Sequence, residues 1–248
     1  MDISFISEGN RLSGRLLIPN YISSSPAILF LHGSGKIDSR AGYHDWQDYL
    51  CLHGIASLYF DFRGCGASEG TFEEGSLSNR LIDAQAGLLF LLNQSFIDIN
   101  RIGLIGGSMG GHVAVRLLEK NRSLRSLILV SAAAYSEEAE GKKLNHSFSS
   151  TIRKDENWKS SPVFKILFEA NLPVLSIYSD KDTVIPKGVQ KSYQRAISRN
   201  AESAVYRLEN GKHALLNPQN SGENCVMKSI FKHSLSFFEK TICDKRLY

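Results

Sequence analysis

The sequence predicts an α/β fold built on a mostly parallel sheet, on three observations. Short stretches with strand character (residues 27–31, 55–60 and 126–130) are apolar throughout or nearly so, as strands covered on both faces must be. Stretches with helical spacing stand between them. Glycine, aspartate and histidine gather just after the strand-like runs, where an open sheet of this kind keeps its chemistry.

The elements follow in order. Residues 2–8 and 11–18 alternate as two antiparallel strands around Gly9-Asn10, a turn signal. Residues 19–26 form a polar loop between two prolines. Ala27-Ile28-Leu29-Phe30-Leu31 is a buried strand ending in His32-Gly33-Ser34-Gly35. A helix from about residue 44 to 52 stops at Gly54, and residues 55–60 form the next buried strand. That strand ends in Asp61-Phe62-Arg63-Gly64-Cys65-Gly66-Ala67-Ser68. Leu77, Leu81, Ala84, Leu88 and Leu92 recur at helical spacing, which predicts a helix over 76–92. The apolar run 102–105, a helix from about 113 to 118 and a strand at 126–130 follow. Residues 134–169 break the rhythm with a polar, charged stretch and read as a short cap insertion. A strand at 173–178, a helix at 187–198, a strand at 203–208 and a last helix at about 222–240 complete the chain. The expectation is one domain over 1–248, with about eight mostly parallel strands, helices on both faces and right-handed crossovers.

Composition narrows the function. A chain of 248 residues suits a single α/β domain, and 29 basic against 25 acidic residues leave a mild excess with no charge block. Nucleic-acid binding therefore has no electrostatic footprint. No apolar run approaches a membrane span. The opening Met1-Asp2-Ile3-Ser4 lacks the apolar core of a signal peptide. Four scattered cysteines, with no Cys-x-x-Cys pair, suit free thiols in a reducing cytoplasm and give no metal-ligand spacing.

The stretch Gly106-Gly107-Ser108-Met109-Gly110 has strand before it and helix after it, the context of a G-x-S-x-G nucleophile elbow. The glycines let strand and helix approach closely while the serine Oγ projects above the sheet. The same glycines would also serve a phosphate-binding turn, so a base, an acid and oxyanion donors must be found elsewhere. His213 follows a strand in a Gly-containing loop before the last helix and is the candidate base. His44, His53, His112, His146 and His233 fall on helical faces or in the polar insertion, where a solvated role is expected, and His32 is expected to brace its loop. Asp182 is preferred over Asp180 as the acid, since it stands deeper in the loop ahead of Pro186. Asp61 is expected to pair with Arg63 inside its own turn; Asp83 and Glu69 are read as structural. The oxyanion donors are expected to be the backbone N–H groups of Met109 and of Ser34, with Gly35 next.

With these residues placed, the chain resembles the α/β-hydrolase superfamily. Leu31-His32-Gly33-Ser34-Gly35 is similar to its HGxG oxyanion loop, and Asp61-Phe62-Arg63-Gly64-Cys65-Gly66-Ala67-Ser68 to its D-x-R-G-x-G-x-S turn. Ser179-Asp180-Lys181-Asp182-Thr183-Val184-Ile185-Pro186 resembles G-x-x-D-x-x-V-P with Ser179 replacing the usual glycine. Gly211-Lys212-His213 departs from the usual Gly-x-Gly-His. The order Ser108, Asp182, His213 matches the family order of nucleophile, acid and base. Small serine-aminopeptidase-like and feruloyl-esterase-like hydrolases are the most similar subgroups.

The resemblance implies the α/β-hydrolase fold and a serine hydrolase that cleaves carboxylic esters through a Ser-His-Asp triad and an acyl-enzyme; the cysteine usage and the opening residues make a cytoplasmic location the expectation. A peptidase, a thioesterase or a non-catalytic ligand-binding member of the same fold are the alternatives. No metal or cofactor is expected. The expected partner is a small-molecule ester or short acyl substrate, with neither nucleic acid nor membrane, and a homodimer is left open. Tyr135, Phe148, Trp158 and Phe164 of the insertion either line an acyl or aryl site or form a small satellite core.

Overall fold

A computed structural model describes residues 1–20, 24–34, 40–154, 156–209, 211–213, 215 and 224–243 of the chain. Eight strands form one sheet: β1 (Asp2–Ser7), β2 (Asn10–Leu17), β3 (Ser25–Leu31), β4 (Ala56–Phe60), β5 (Ile97–Gly107), β6 (Ser126–Val130), β7 (Val174–Ser179) and β8 (Ala204–Leu208). Their order across the sheet is β1-β2-β4-β3-β5-β6-β7-β8. The first two pairings, β1 with β2 and β2 with β4, are antiparallel. The remaining five are parallel. The helices are α1 (Arg40–Leu52), α2 (Leu77–Leu92), α3 (Met109–Leu118), α4 (Glu137–Glu140), α5 (His146–Ile152), α6 (Val163–Ala170), α7 (Lys187–Ile197) and α8 (Asn224–Thr241).

The two-residue period of the strands divides the core. Leu29, Leu31, Leu58, Leu104 and Leu127 face one side, where they pack with Leu88 of α2, Val113 of α3 and Val189 of α7. Ile28, Phe30, Ile105, Ile128 and Ile177 face the other, against Trp46 of α1 and Ile230, Phe231 and Phe238 of α8. Every residue of β3 and of β4 is buried, which is why these strands read as apolar runs without alternation.

The elements differ from expectation mainly at their ends. Helix α1 is described from Arg40, ahead of the expected start near residue 44, and β5 extends back to Ile97. The extension Asp98-Ile99-Asn100 is half-buried or exposed and polar, so no apolar run announced it. The last helix is described from Asn224; its expected start at 222 lies outside the described residues. Residues 134–169 carry α4, α5, a 3-10 turn at Asn157–Ser160 and α6. Trp158 of that turn lies directly on Gly188 in the first turn of α7. A Cβ on Gly188 would meet its ring at 2.4 Å.

Because β3, β5, β6, β7 and β8 run parallel, the residues after Leu31, Gly107, Val130, Ser179 and Leu208 all lie beyond one edge of the sheet. Among the described residues no helix is long and apolar enough to cross a membrane.

Candidate active site

Ser108 stands between β5 and α3 with φ 49° and ψ −117°, a conformation that costs a non-glycine residue about 1–3 kcal/mol. Backbone hydrogen bonds hold it there. Its N–H donates to Val130 O at 2.9 Å, and its carbonyl accepts from the N–H groups of Ala133 (2.9 Å) and Gly111 (3.0 Å). The turn is tight enough to require glycine at 110, where a Cβ would lie 2.1 Å from the carbonyl oxygen of Leu31. Leu31 ends β3, so this contact sets the first turn of α3 against the loop that carries His32, Gly33 and Ser34. The placement of Gly33 follows: a Cβ there would come within 3.3 Å of Ser108 Cβ and 3.8 Å of its Oγ.

His213 reaches this serine from the loop after β8. Its Nε2 lies 3.0 Å from Ser108 Oγ, and its Nδ1 lies 2.9 Å from Asp182 Oδ2. A carboxylate can only accept, so Nδ1 carries the proton and Nε2 is left to accept from the serine hydroxyl. The Asp182 side chain is fully buried whereas that of His213 is 22% exposed, so the base can meet solvent and the acid cannot. The other carboxylate oxygen, Oδ1, accepts from the backbone N–H groups of Val184 (2.8 Å) and Ile185 (3.0 Å). Burial pushes the Asp182 carboxyl up, but the hydrogen bonds from His213, Ile185 and Val184 outweigh it and leave it below the usual carboxylate range.

Ser179, which stands in place of the usual glycine, closes this corner. Its buried hydroxyl donates to the carbonyl of Gly211 and accepts from Lys181 N–H at 3.3 Å, tying the aspartate loop to the histidine loop. Asp180 points its backbone N–H at Leu208 O, at the end of β8.

Met109 is the first residue of α3 and is buried, at the helix end where backbone N–H groups lack intrahelical acceptors. Ser34 is exposed and follows Gly33 directly; Gly35 lies outside the described residues. His32 is buried and braces its loop. Its Nε2 accepts from Phe62 N–H at 3.1 Å, so Nδ1 bears the proton and donates to Gly33 O at 3.0 Å.

Two expectations are corrected. His112 is not solvated. It is buried at the start of α3, where its Nε2 lies 3.0 Å from Glu140 Oε1 and its Nδ1 accepts from Tyr135 N–H at 3.3 Å. Both partners arrive from the 134–169 segment, 23 and 28 residues away, and nothing in the local sequence announces them. Burial holds the His112 pKa below its usual value despite Glu140. Arg63 closes on Asp83 of α2 rather than within its own turn: its Nη2 lies 2.7 Å from Oδ1, and its Nε reaches both carboxylate oxygens at 3.1 Å. Asp61 instead accepts from Ala67 N–H at 3.0 Å and Tyr59 Oη–H at 3.2 Å.

Of the four insertion aromatics, Phe148 is buried and Tyr135, Trp158 and Phe164 pack against the core. Tyr135 meets Phe148 at 5.2 Å between ring centroids, and Phe164 meets Tyr193 of α7 at 5.2 Å. Among the described residues no group of three His, Cys, Asp or Glu side chains could hold a metal ion.

Sequence reasoning missed Arg80 of α2, whose side chain is 1% exposed and whose guanidinium reaches the loop beside Ser108. Its position offered a signal: it falls with Leu77 and Ala84 on the apolar stripe of the helix.

Known proteins share this frame. Est1E from Butyrivibrio proteoclasticus, solved with ferulic acid bound, superposes with a TM-score of 0.77 over 98% of this chain and 100% of its own, at 18% identity. Esterase FrsA of Yersinia enterocolitica is 35% identical over 121 residues, 47% of this chain and 28% of that protein. Lysophosphatidylserine lipase ABHD12 of Danio rerio is 29% identical over 183 residues, 67% of this chain and 46% of that protein. The chain thus spans less than half the length of these two relatives. The family model described as serine aminopeptidase, S33 (Hydrolase_4) matches residues 23–156, more than half of the chain. The chain therefore belongs to the serine aminopeptidase S33 (Hydrolase_4) family of hydrolases, within the α/β-hydrolase superfamily.

Proposed function

We propose that the chain is a serine hydrolase that cleaves carboxylic esters of small molecules or short acyl groups through Ser108, His213 and Asp182. One observation carries the reading: a single imidazole bridges the Ser108 hydroxyl at 3.0 Å and a buried carboxylate at 2.9 Å. That is the hydrogen-bond chain by which a serine alcohol becomes a nucleophile. The strained, tightly held elbow supports it independently, since backbone strain of this kind collects where a side chain must be aimed.

In this reading His213 Nε2 takes the Ser108 proton as Oγ attacks the ester carbonyl. Asp182 fixes the imidazole tautomer and stabilises the imidazolium. The N–H groups of Met109 and Ser34 receive the oxyanion. The imidazolium then gives its proton to the departing alkoxide, leaving an acyl-serine. Water enters past the 22% exposed His213, loses a proton to it while attacking the acyl carbonyl, and the acid leaves as the bond to Ser108 Oγ breaks and the imidazolium returns its proton to that oxygen. No metal or organic cofactor takes part in these steps. Residues 134–169 act as a short cap over the site within a single domain, docked through Trp158 on Gly188. Esterase FrsA and lysophosphatidylserine lipase ABHD12 are named for ester cleavage, which supports esters as the substrate class, while the aminopeptidase name of the family model makes amides the alternative.

Two measurements test the reading. A panel of p-nitrophenyl esters, feruloyl esters, thioesters and aminoacyl amides should show turnover of esters first; turnover of amides alone would move the reaction class to peptidase. Asp182→Asn should lower kcat by about 10⁴ through the wrong imidazole tautomer, whereas Asp180→Asn should leave kcat close to that of the parent. The opposite pattern would assign the acid to Asp180.

A further inference from the structure

The guanidinium of Arg80 is buried beneath the site, and the other buried charged residue of α2, Asp83, is already committed. Asp83, one turn along, is held by Arg63 and by the Ser7 hydroxyl, which donates to it at 2.6 Å. Among the described residues no carboxylate comes within 4.0 Å of Arg80 to form an ion pair. Burying an arginine this way costs several kcal/mol unless its donors find strong acceptors. Those acceptors are two consecutive carbonyls of the loop beside Ser108. Nη1 donates to Gly33 O at 2.6 Å, and Nη2 donates to Ser34 O at 2.9 Å and to Cys65 Sγ at 3.4 Å. The rings of Phe62 and Phe72, 4.6 and 5.7 Å from the guanidinium carbon, hold its plane.

The peptide bond turns this contact into a statement about the site. The Gly33 carbonyl and the Ser34 N–H belong to one planar trans peptide unit and point in opposite directions. A cation gripping the carbonyl oxygen therefore aims the N–H, and by withdrawing electron density it makes that N–H a better donor. His32 Nδ1–H donates to the same oxygen at 3.0 Å, so the peptide is clamped from two sides. The fork of Arg80 also grips the Ser34 carbonyl.

We propose that Arg80 is a positioning residue for the oxyanion hole, acting through the Gly33–Ser34 peptide to aim and polarise the Ser34 N–H. This rests on the reading of Ser108, His213 and Asp182 as an ester-cleaving centre. Because the N–H is needed most when negative charge develops on the substrate oxygen, Arg80 contributes to the transition state and hardly to ground-state binding.

The test compares the parent, Ser108→Ala, Arg80→Met and Arg80→Lys on one turned-over p-nitrophenyl ester, with a trifluoromethyl ketone analogue as inhibitor and a thermal melt for each protein. Arg80→Met should lower kcat by roughly 10- to 10³-fold, up to the loss seen when an oxyanion donor is removed. KM should stay within about threefold. The inhibition constant of the ketone, which forms a tetrahedral adduct, should rise in step with the fall in kcat. Arg80→Lys keeps the buried charge but loses the two-pronged geometry, and should lie between parent and Arg80→Met. It carries the test should Arg80→Met fail to fold. A folded Arg80→Met, or failing that a folded Arg80→Lys, with parental kcat and ketone inhibition overturns the inference, as does a loss confined to KM. A parent whose turnover survives Ser108→Ala overturns the site reading and this inference together. A Ser108-dependent parent beside an unaffected Arg80 variant overturns this inference alone.

Discussion

Replacing Ser108 by alanine is expected to lower kcat on a p-nitrophenyl ester by about five to six orders of magnitude, with the fold intact. The size follows from what is lost. With no alcohol at the elbow, His213 has no proton to accept and no acyl-enzyme can form. A triad works as a unit, so losing its nucleophile costs nearly as much as losing all three members, about 10⁶ in a well-studied serine protease. The stability expectation follows from the backbone. The φ of 49° at residue 108 is set by the bonds to Val130, Ala133 and Gly111 and not by the hydroxyl. Alanine meets the same strain as serine, so the melting temperature should stay near that of the parent. His213→Ala should match Ser108→Ala in kcat, and the double variant should be no worse than either single one. A double variant that loses activity multiplicatively would mean that the two side chains, 3.0 Å apart, act independently.

Asp83→Ala is expected to be the most damaging single change away from the reacting atoms, destabilising the protein by about 3–5 kcal/mol. The carboxylate is fully buried and accepts from the Arg63 guanidinium, from the Arg63 backbone N–H at 3.1 Å and from the Ser7 hydroxyl. These bonds join α2, the turn after β4 and the end of β1. Removing the carboxylate leaves two other donors without it and a nearly buried arginine whose remaining ion-pair partner among the described residues is the half-exposed Glu8 carboxylate, 3.0 Å from its Nη1, and a cation that has lost its buried partner is worse than no pair at all. At roughly 2–4 °C per kcal/mol for a chain of this size, the melting temperature should fall by about 6–20 °C. A double change, Asp83→Leu with Arg63→Met, should recover part of that loss, because an apolar pair of similar volume leaves no buried charge. Thermal unfolding of the parent, the single variants and the double variant checks both statements. An Asp83→Ala melt within 2 °C or so of the parent would show that solvent reaches the arginine and that the pair is weak.

Much of the sheet was legible because its information is local. Residues 27–31 are apolar at every position since both faces are covered, and the Gly-Asn turn announces the β1–β2 hairpin. The positions of Ser108, Asp182 and His213 were legible for a related reason: each lies in the connection that follows a strand, and parallel strands bring such connections to one edge. What stayed hidden depends on distant partners. His112 looked like a solvated helical residue because Glu140, which meets it, lies 28 residues on. Arg63 looked ready to pair within its own turn, yet the carboxylate it finds is 20 residues away on α2. The helices α4 and α5 are only 4 and 7 residues long, shorter than the window in which a helical period can be seen. Arg80 reads as an ordinary charged residue until the loop that bears Gly33 and Ser34 folds back over its helix.

The most direct test of the central claim is to label the folded protein with a fluorophosphonate probe and locate the adduct by mass spectrometry of its peptides. One probe per chain is expected on the oxygen of Ser108, with labelling slowed by His213→Ala and abolished by Ser108→Ala. Folded protein that remains unlabelled, or that carries the probe on another side chain, would contradict it.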